Sequence, residues 1–345
     1  MITVGIYGGS GYTGQELMKI LIRHDESRVI AVTSRKYKGM PVADVYPIFR
    51  GLTEAEYVDA SPEDLAGLCD VVFLAVPHGE AMEVAPLFLD SGTKVIDLSA
   101  DYRLRDINVY ESWYKRHTSP HLIDRAVYGL PELYRDDIVG SDLVANPGCY
   151  PTGVILGLAP ILKESVVDAS SIIVDSKSGV SGAGREPSTG SLFCEVNEGF
   201  KAYKIGKHRH TPEINQELSV LAGRDVVVTF VPHLIPVNRG ILSTSYATLQ
   251  RETSTGELID MYKQFYRDEQ FVRVADEGMF PNISSVKGSN YCDIGLTLDE
   301  RTGRVIIVSS IDNLIKGASG QAVQNMNIMC GLPEDTGLKL VPLFP

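Results

Sequence analysis

The features that this sequence lacks narrow its class before any motif is considered. It has no surplus of basic residues, since its 345 residues carry a net charge of −12, and nucleic acids and anionic membranes bind basic surfaces. No apolar run has membrane-spanning length, and no charged-then-apolar signal segment precedes the first predicted strand. We therefore expect a cytoplasmic protein with neither a nucleic-acid nor a membrane partner, although a few arginines and backbone amides would suffice to bind a small anion.

Cysteine is also scarce. The five cysteines are odd in number and scattered, which fits neither a disulfide framework nor a paired zinc motif; they are Cys69, Cys149, Cys194, Cys292 and Cys330. We therefore expect no metal site and a reducing compartment. Biased tracts and internal repeats are absent as well, and the length exceeds the usual size of one hydrophobic core. These properties predict an ordinary globular protein with two domains.

A glycine-rich turn lies between the first predicted strand and the first predicted helix. Gly9, Gly11 and Gly14 match the spacing G-x-G-x-x-G, with strand residues 2–7 before them and a helical apolar pattern over 15–24 after them. In this context the glycines allow a tight turn and bring the backbone close to a pyrophosphate, whose charge the helix N-terminus meets. The turn therefore predicts a dinucleotide site rather than a simple connection.

The end of the second predicted strand, 29–33, indicates which dinucleotide is bound. Ser34 and Arg35 follow this strand, where an NAD enzyme usually carries an acidic residue for the ribose 2′-hydroxyl. A guanidinium can pair with a 2′-phosphate instead, so NADP is favoured over NAD. The alternative is a solvated surface arginine.

The first part of the chain alternates strands and helices. Apolar runs at 70–76 and 94–98 have the length of parallel strands buried on both faces, and residues 80–89 between them have a helical pattern. This alternation predicts an α/β domain with a Rossmann-type doubly wound parallel sheet. Ligands of such sheets bind beyond the carboxyl ends of the strands.

The second part of the chain is richer in strands than in helices. Strands are predicted over 171–175, 226–232, 239–247, 292–298 and 305–309, and the last two form a hairpin. They predict an α+β domain with a mixed, largely antiparallel sheet, and a spare sheet face leads us to expect a homodimer or homotetramer. We place the NADP-binding domain at 1–148, completed by a C-terminal helix within 313–345, and the catalytic and dimerisation domain at 149–312.

Cys149 stands out among the cysteines because it follows the turn Asn146-Pro147-Gly148 and precedes a long apolar run, 154–162. This pattern places it at or just before a helix N-terminus, where unpaired N–H groups and the helix dipole favour a thiolate. A thiolate there would be a nucleophile. Taken alone, such a residue is more often a small buried hydrophobe than a nucleophile.

Two polar segments follow. The glycine- and serine-rich loop 176–185 carries Lys177 and Arg185, and it predicts either an anion-binding concavity of backbone amides or a flexible connection. Further on, Thr211 is predicted as a helix N-cap, with His210 just before it. Without a third ligand nearby a metal role is disfavoured for this histidine, which leaves a general acid/base or a surface cluster.

Five motifs in this order make the chain resemble the N-acetyl-γ-glutamyl-phosphate reductase family of the semialdehyde dehydrogenase superfamily. They are the glycine turn, Ser99-Ala100-Asp101-Tyr102-Arg103, Asn146-Pro147-Gly148-Cys149-Tyr150-Pro151-Thr152, His208-Arg209-His210-Thr211-Pro212-Glu213 and Lys316-Gly317-Ala318-Ser319-Gly320-Gln321. The resemblance covers nearly the whole chain. It implies NADPH-dependent reductive dephosphorylation of N-acetyl-L-glutamyl 5-phosphate to N-acetyl-L-glutamate 5-semialdehyde, through a thioester, in arginine biosynthesis.

The resemblance also implies roles for individual residues. Cys149 would be the nucleophile and His210 the general acid/base, with His208 close enough to be mistaken for it. Arg103 would bind the acyl phosphate, and further substrate-site candidates are Ser99, Lys177, Arg185 and Glu213. The residues implied for NADP are Gly9, Ser10, Gly11, Tyr12, Thr13, Ser34, Arg35, Asn313 and Gly317.

Four other functions remain as alternatives. A cysteine hydrolase or thiol transferase would not need Gly9, Gly11, Gly14 and Arg35 together. Aspartate-semialdehyde dehydrogenase performs the same chemistry on a shorter substrate, but its nucleophile motif has Asn directly before Cys, whereas Pro147 and Gly148 intervene here. A reductase of aminoadipyl phosphate on an acidic carrier protein is disfavoured by the acidic charge of this chain. A catalytically silent NADP-binding sensor would not need both Cys149 and His210.

Overall fold

The computed structural model describes residues 1–343, which fold into two compact units. The first unit comprises Met1–Pro147 and Ala318–Lys339, and the second comprises Gly148–Gly317 and the chain from Leu340 onward. The chain passes from the first unit to the second after Pro147, next to the expected boundary at 148. It returns to the first unit at residue 318 rather than at the expected 313. Residues 340–343 group with the second unit, whereas the C-terminal segment 313–345 was expected to belong to the first.

The first unit is built on a parallel sheet of seven strands. They are β1 (Ile2–Tyr7), β2 (Ser27–Thr33), β3 (Tyr57–Val58), β4 (Val71–Leu74), β5 (Lys94–Asp97), β6 (Val127–Tyr128) and β7 (Leu143–Ala145). Their spatial order is β3-β2-β1-β4-β5-β7-β6, and every neighbouring pair runs parallel. The direction of progression reverses at β1, which confirms the predicted doubly wound sheet. β4 is buried along its whole length, as its apolar run predicts.

Six helices connect these strands: α1 (Tyr12–Leu21), α2 (Val42–Val45), α3 (Pro62–Leu65), α4 (Ala81–Asp90), α5 (Ile107–Trp113) and α6 (Pro131–Ile138). The interior of α4 contains Pro86, which has no N–H to donate to the carbonyl of Met82 one turn earlier. The Ser119 hydroxyl donates to that carbonyl instead, at 2.7 Å. A proline that would otherwise leave a buried acceptor unpaired is thus accommodated by a neighbouring loop.

The second unit contains four helices and a second sheet of seven strands. In chain order the elements are α7 (Cys149–Lys163), β8 (Val167–Ser178), α8 (Phe193–Val196), β9 (Lys201–Ala202), α9 (Thr211–Ala222), β10 (Thr229–Leu234), β11 (Ile241–Leu249), α10 (Thr255–Phe265), β12 (Val272–Val274), β13 (Cys292–Asp299) and β14 (Arg304–Ile311). The strand order is β12-β13-β14-β11-β8-β10-β9. Two of its pairs are parallel and the others antiparallel, which confirms the predicted mixed, largely antiparallel sheet.

Helix α7 is the core helix of the second unit and is buried on nearly all sides. Gly153 lets it lie close to β14, because a Cβ at this position would come within 3.3 Å of Ser309 Oγ. Pro160 removes the N–H that would pair with the Leu156 carbonyl, and the Tyr266 hydroxyl of the segment after α10 donates to it at 2.5 Å. The helix that carries Cys149 is therefore rigidly seated.

The last helix, α11 (Gly320–Met329), follows a π-helical turn at Ile315–Ser319 and belongs to the first unit. It is shorter than the predicted C-terminal segment 313–345, and all of its residues are buried. Its amides bind the chain around it: Asn325 Nδ2 donates to the Gly129 carbonyl at 2.8 Å and to Asn146 Oδ1 at 3.1 Å. Buried amides thus fix the turn that ends the first unit.

Candidate active site

The glycine turn of the first unit has the geometry that its spacing predicts. A Cβ on Gly14 would lie 2.4 Å from the Gly9 carbonyl oxygen, and one on Gly9 would lie 2.3 Å from a Val32 methyl. A Cβ on Gly11, the N-cap of α1, would meet no atom within 4 Å. Two glycines therefore allow close packing inside the protein, whereas Gly11 leaves open space at a helix N-terminus, where a phosphate can approach the backbone.

Ser34 is part of the same turn. Its hydroxyl donates to Ser10 Oγ at 3.0 Å and accepts the Tyr37 N–H at 3.3 Å, so the end of β2 is tied to the glycine turn. Arg35 is mostly exposed and lies 3.5 Å from Glu80, itself partly exposed. Such surface pairs contribute little to stability, and the guanidinium remains accessible. Tyr12 and Thr13 begin α1, and the Thr13 carbonyl accepts the Ser319 hydroxyl at 2.9 Å.

The loop after β5 is a buried polar network that contains Ser99 and Arg103. The Ser99 hydroxyl donates to Asp97 at 2.9 Å. Arg103, which is 5% exposed, donates from Nε to the Asn146 carbonyl at 2.7 Å and from Nη2 to the Leu98 carbonyl at 2.9 Å. The structure thus gives both residues partners that hold the loop, and a direct role toward a substrate phosphate stays a prediction.

Asp101 in this loop was not singled out by the sequence motifs. Its carboxylate accepts the N–H groups of Gly79, at 2.7 Å, and Met82, at 3.1 Å, and the Tyr110 hydroxyl at 2.8 Å. It therefore caps the beginning of α4 from a distant segment. Burial raises the pKa of Asp97, and the neighbouring Asp101 carboxylate adds to the effect.

Cys149 is the first residue of α7, as predicted, with Gly148 as the N-cap. The Gly148 N–H donates to Glu213 Oε1 at 2.7 Å, and the Gly148 carbonyl accepts the Thr152 hydroxyl at 3.0 Å. Glu213 is 1% exposed, so its carboxylate forms a charge-assisted bond in a dry environment. In this geometry Glu213 positions the residue that precedes the cysteine.

Gly317 packs directly on the cysteine. A Cβ at position 317 would lie 2.8 Å from the Cβ and 3.2 Å from the Cα of Cys149. Such separations are far below contact distance, so only glycine fits here. Gly317 therefore forms a wall of the Cys149 site, which the motif alone did not reveal.

The histidine helix begins one residue earlier than expected. Thr211 is the first residue of α9 and His210 occupies the N-cap, so the prediction of Thr211 as the N-cap is wrong by one position. The His210 ring lies 5.9 Å from the ring of Tyr150, centroid to centroid. Cys149 and His210 therefore both adjoin Tyr150, one along the chain and the other by ring contact.

His208 has a different environment from His210. Its Nδ1 accepts the His210 backbone N–H at 3.1 Å, and its Nε2 lies 3.4 Å from the Tyr203 hydroxyl. Burial, reinforced by Lys204 and Arg209, lowers the pKa of His208 to about 4. A ring that stays neutral near pH 7 and accepts a backbone N–H is suited to hold His210 rather than to exchange protons itself.

Two tyrosines complete this cluster and were missed in the sequence. The hydroxyls of Tyr150 and Tyr203 are 3.0 Å apart. Burial raises the pKa of both phenols, that of Tyr203 to about 12, and the nearby Cys149 adds to the effect. Both phenols therefore remain protonated beside the sulfur. Only the adjacency of Tyr150 to Cys149 was a signal in the sequence.

The loop after β8 is braced rather than free. The N–H groups of Gly179, Val180 and Ser181 donate to carbonyls of the segment 237–240, so these amides do not form the anion-binding concavity considered above. Asn313 strengthens the brace, since it accepts the Gly240 N–H at 2.8 Å and donates to the Ser181 hydroxyl at 2.9 Å. Both ends of its amide thus have protein partners.

Lys177 lies on the face of the second sheet that is turned away from α7. Lys177 pairs with Asp175 at 2.5 Å, and both alternate with the buried Ser176 along β8. Ser176 shares its face with Ser243 and Ser309, on which α7 packs, so Lys177 lies on the opposite face of the sheet. Arg185 follows Gly184 in the half-exposed loop. Their substrate roles stay predictions.

Neither a metal cluster nor a membrane helix is found in residues 1–343. No group of three or more His, Cys, Asp or Glu side chains there is arranged to hold a metal ion. No helix in the same range is long and apolar enough to cross a membrane. None of the five cysteines, all of which lie in this range, forms a disulfide.

Comparison with known proteins agrees with this architecture. Residues 3–141 match the semialdehyde dehydrogenase NAD binding domain, and residues 149–313 match the semialdehyde dehydrogenase dimerisation domain. Aspartate semialdehyde dehydrogenase II of Vibrio cholerae, solved with ASA, has a TM-score of 0.72 at 15% identity and covers 95% of this chain and 98% of its own. The enzyme of Candida albicans, solved with NADP, has a TM-score of 0.72 at 16% identity with the same coverage. The fold is that of the semialdehyde dehydrogenases.

Full-length relatives specify the family further. The N-acetyl-gamma-glutamyl-phosphate reductase of Citrifermentans bemidjiense is 56% identical over 346 residues and covers 100% of both chains. That of Symbiobacterium thermophilum is 55% identical over 347 residues, with 100% of this chain and 99% of its own covered. The chain therefore belongs to the N-acetyl-γ-glutamyl-phosphate reductase family and is an oxidoreductase.

Proposed function

We propose that the chain catalyses the NADPH-dependent reductive dephosphorylation of N-acetyl-L-glutamyl 5-phosphate to N-acetyl-L-glutamate 5-semialdehyde and phosphate, in the cytoplasm, as a step of arginine biosynthesis. The observation that carries this proposal is the arrangement around Tyr150, where Cys149 begins α7 and His210 contacts the same ring. Relatives that match the full chain have the corresponding name.

The first unit fits NADP in its own geometry. Gly11 leaves open space at the N-terminus of α1, and the exposed Arg35 follows the end of β2. The backbone of the glycine turn would hold the pyrophosphate and Arg35 the 2′-phosphate. We assign Met1–Pro147 with Ala318–Lys339 as the NADP-binding domain and Gly148–Gly317 as the catalytic and dimerisation domain, with Asn313 and Gly317 toward the nicotinamide.

In the reaction the Cys149 thiolate attacks the acyl carbon, a C–S bond forms, and the C–O bond to phosphate breaks. Arg103 would counter the charge of the departing phosphate. Bound NADPH supplies the hydride that reduces the thioester. His210 donates the proton to the developing oxyanion and then accepts it as the hemithioacetal collapses to aldehyde and thiolate. Splitting the reduction into two steps makes each easier, and a placed acid/base contributes about 10²- to 10⁴-fold.

The test runs the reaction in reverse. Purified protein is supplied with N-acetylglutamate semialdehyde, phosphate and NADP⁺, and NADPH formation is followed by its absorbance. We expect phosphate-dependent reduction that is much faster than with aspartate semialdehyde. Preference for aspartate semialdehyde would favour the alternative enzyme, and binding of NADPH without turnover of either aldehyde would favour a sensor.

We further propose that a second copy of the chain covers the outer face of the second sheet. Along β11 and β14 the side chains that face away from α7 are half-buried and include Leu242, Tyr246, Ile306 and Val308. Asp175 and Lys177 on β8 also lie on this face, so its apolar part lies mainly on β11 and β14. An apolar patch on an open sheet face is typical of a subunit interface. Sedimentation equilibrium should give a dimer or tetramer, and a Tyr246→Glu variant should shift it toward monomer.

A further inference from the structure

Asp312, at the end of β14, is a fully buried carboxylate that the proposed reaction does not use. It is 0% exposed. Its Oδ1 accepts the N–H groups of Leu314, at 2.8 Å, and Ile315, at 3.3 Å. Its Oδ2 accepts the Gly288 N–H at 2.7 Å and lies 3.2 Å from Arg239 Nη1. A buried charge with so many donors fixes the backbone around it in one conformation.

The backbone that Asp312 fixes leads directly to the cysteine. The Asp312 carbonyl accepts the Gly317 N–H at 2.9 Å, so one residue holds both the beginning of the π-helical turn and its glycine. Asn313 ties the same segment to Gly240 and Ser181. All of these residues belong to the second unit.

Gly317 has no room to move toward Cys149. Its backbone is so close that a Cβ there would lie 2.8 Å from the cysteine Cβ. A displacement of the turn toward the cysteine would push its side chain from the helix N-terminus, and a displacement away would leave its rotamer unrestrained. The orientation of the sulfur relative to the N–H groups of α7 therefore depends on where the turn is held.

We propose that Asp312 is a positioning residue, which holds the 314–317 turn against Cys149 and thereby orients the sulfur at the N-terminus of α7. The inference rests on the proposed function only in taking Cys149 as the nucleophile. A merely structural carboxylate would stabilise the fold without changing the reactivity of this thiol.

The test is alkylation of Cys149 by iodoacetamide as a function of pH, resolved by peptide mass spectrometry in Asp312→Asn. If the Cys149 side chain is no longer held, its sulfur loses contact with the N-terminus of α7. The pH at which alkylation reaches half its maximal rate should then rise by roughly half a unit or more. Removal of the negative charge alone would move it downward. The exposed Cys194 is an internal reference whose profile should not change. Turnover should fall about tenfold with the NADPH Michaelis constant nearly unchanged.

Asp293→Asn is the matched control. Asp293 pairs with Arg273 at 2.6 Å in the same sheet and is 15% exposed, so its loss removes an ion pair without loosening the 314–317 turn. Its Cys149 profile should follow the wild type. A lower melting temperature in Asp312→Asn with an unchanged or downward-shifted profile would overturn the proposal.

Arg239→Gln covers the case in which Asp312→Asn does not fold. It removes the ion pair but keeps the N–H bonds of Leu314, Ile315 and Gly288 to Asp312, so its Cys149 profile should rise by less than about half a unit, through loss of the cation alone. A rise of about half a unit or more in this variant would assign the effect to the ion pair and refute positioning by the turn. Alkylation needs no substrate, so failure of the wild type to reduce NADP⁺ with N-acetylglutamate semialdehyde would refute the proposed reaction separately.

Discussion

The glycine turn of the first unit is one continuous segment, whereas the Cys149 site of the second unit gathers residues from distant parts of the chain. In the turn, Gly9 and Gly14 act through the absence of side chains, since a Cβ on either would strike its neighbours. At the cysteine, Glu213 and Asp312 act through the bonds that they make. The glycine turn fails when atoms are added, whereas the Cys149 site fails both when a Cβ is added at Gly317 and when its buried carboxylates are removed.

The largest effect is expected at the cysteine. Cys149→Ser replaces the thiolate with a poor nucleophile, so turnover should fall on the order of 10⁴-fold or more. NADPH binding, measured by fluorescence titration, should be retained because the glycine turn is untouched. Near-normal activity in this variant would refute the thioester step.

The second expectation concerns pH and is specific to the second unit. The folded-state pKa of His208 is about 4 against an ordinary value of 6.5, so only the unfolded chain is protonated between these values. His208 therefore stabilises the fold above pH 6.5, and this contribution, about 3 kcal/mol, is lost as the pH falls toward 4. Urea unfolding of the wild type and of His208→Phe, measured at a series of pH values, should show this extra loss of unfolding free energy between pH 6.5 and 4 only in the wild type. The same pH dependence of the unfolding free energy in both proteins would contradict this role of His208.

Adding one methyl group should damage the first unit. In Gly14→Ala the new Cβ meets the Gly9 backbone, which cannot rotate away, so the free energy of unfolding should fall by about 1–3 kcal/mol, with weaker NADPH binding. Gly11→Ala is the control, because a Cβ there meets nothing within 4 Å. It should fold normally, and it should lose affinity for NADPH only if the backbone at Gly11 contacts the cofactor. Equal thermal stability of the two variants would contradict this geometry.

Removing a carboxylate should damage the second unit. Glu213→Ala leaves the buried Gly148 N–H without its acceptor, at a cost of about 1–3 kcal/mol, and turnover should fall roughly tenfold. Glu257→Ala serves as the control, since Glu257 also binds a backbone N–H, that of Ser254 at 2.9 Å, but is exposed at the beginning of α10. Glu257→Ala should lower the free energy of unfolding and leave turnover unchanged. Similar turnover in the two variants would argue against positioning by Glu213.

The smallest effect is expected at Arg35. Arg35→Ala should raise the Michaelis constant for NADPH about five- to tenfold and leave that for NADH unchanged, because only NADPH carries the 2′-phosphate. Since Arg35 is exposed and weakly paired, the melting temperature should not change. Equal increases in the Michaelis constants for NADPH and NADH would contradict the proposed contact between Arg35 and the 2′-phosphate.

The glycine turn could be predicted from the sequence more completely than the Cys149 site, because its residues are consecutive in the chain. The strand, glycine turn and helix at the N-terminus were evident because the spacing of consecutive residues encodes them. The bounds of α1 were less clear, since Tyr12 and Thr13 carry no apolar signal, and the helix begins before the predicted 15–24. The N-cap of α9 was predicted at Thr211 because threonine is a favoured cap residue. In the structure His210 is the N-cap, Thr211 is the first helical residue and Pro212 is the second.

The sequence by itself determined the parallel and mixed sheets, through the alternation and length of apolar runs, and it placed Cys149 at the beginning of a helix. Local patterns suffice for these features because the periodicity and length of apolar runs are carried by consecutive residues, and the alternation of strands and helices restricts how the strands can pair. Only the tertiary structure decided that Glu213 binds the Gly148 N–H, that Gly317 packs on the cysteine and that Lys177 lies on the other sheet face. These contacts join residues far apart in the chain, and their pairing follows from how helices and strands pack, which no local pattern encodes.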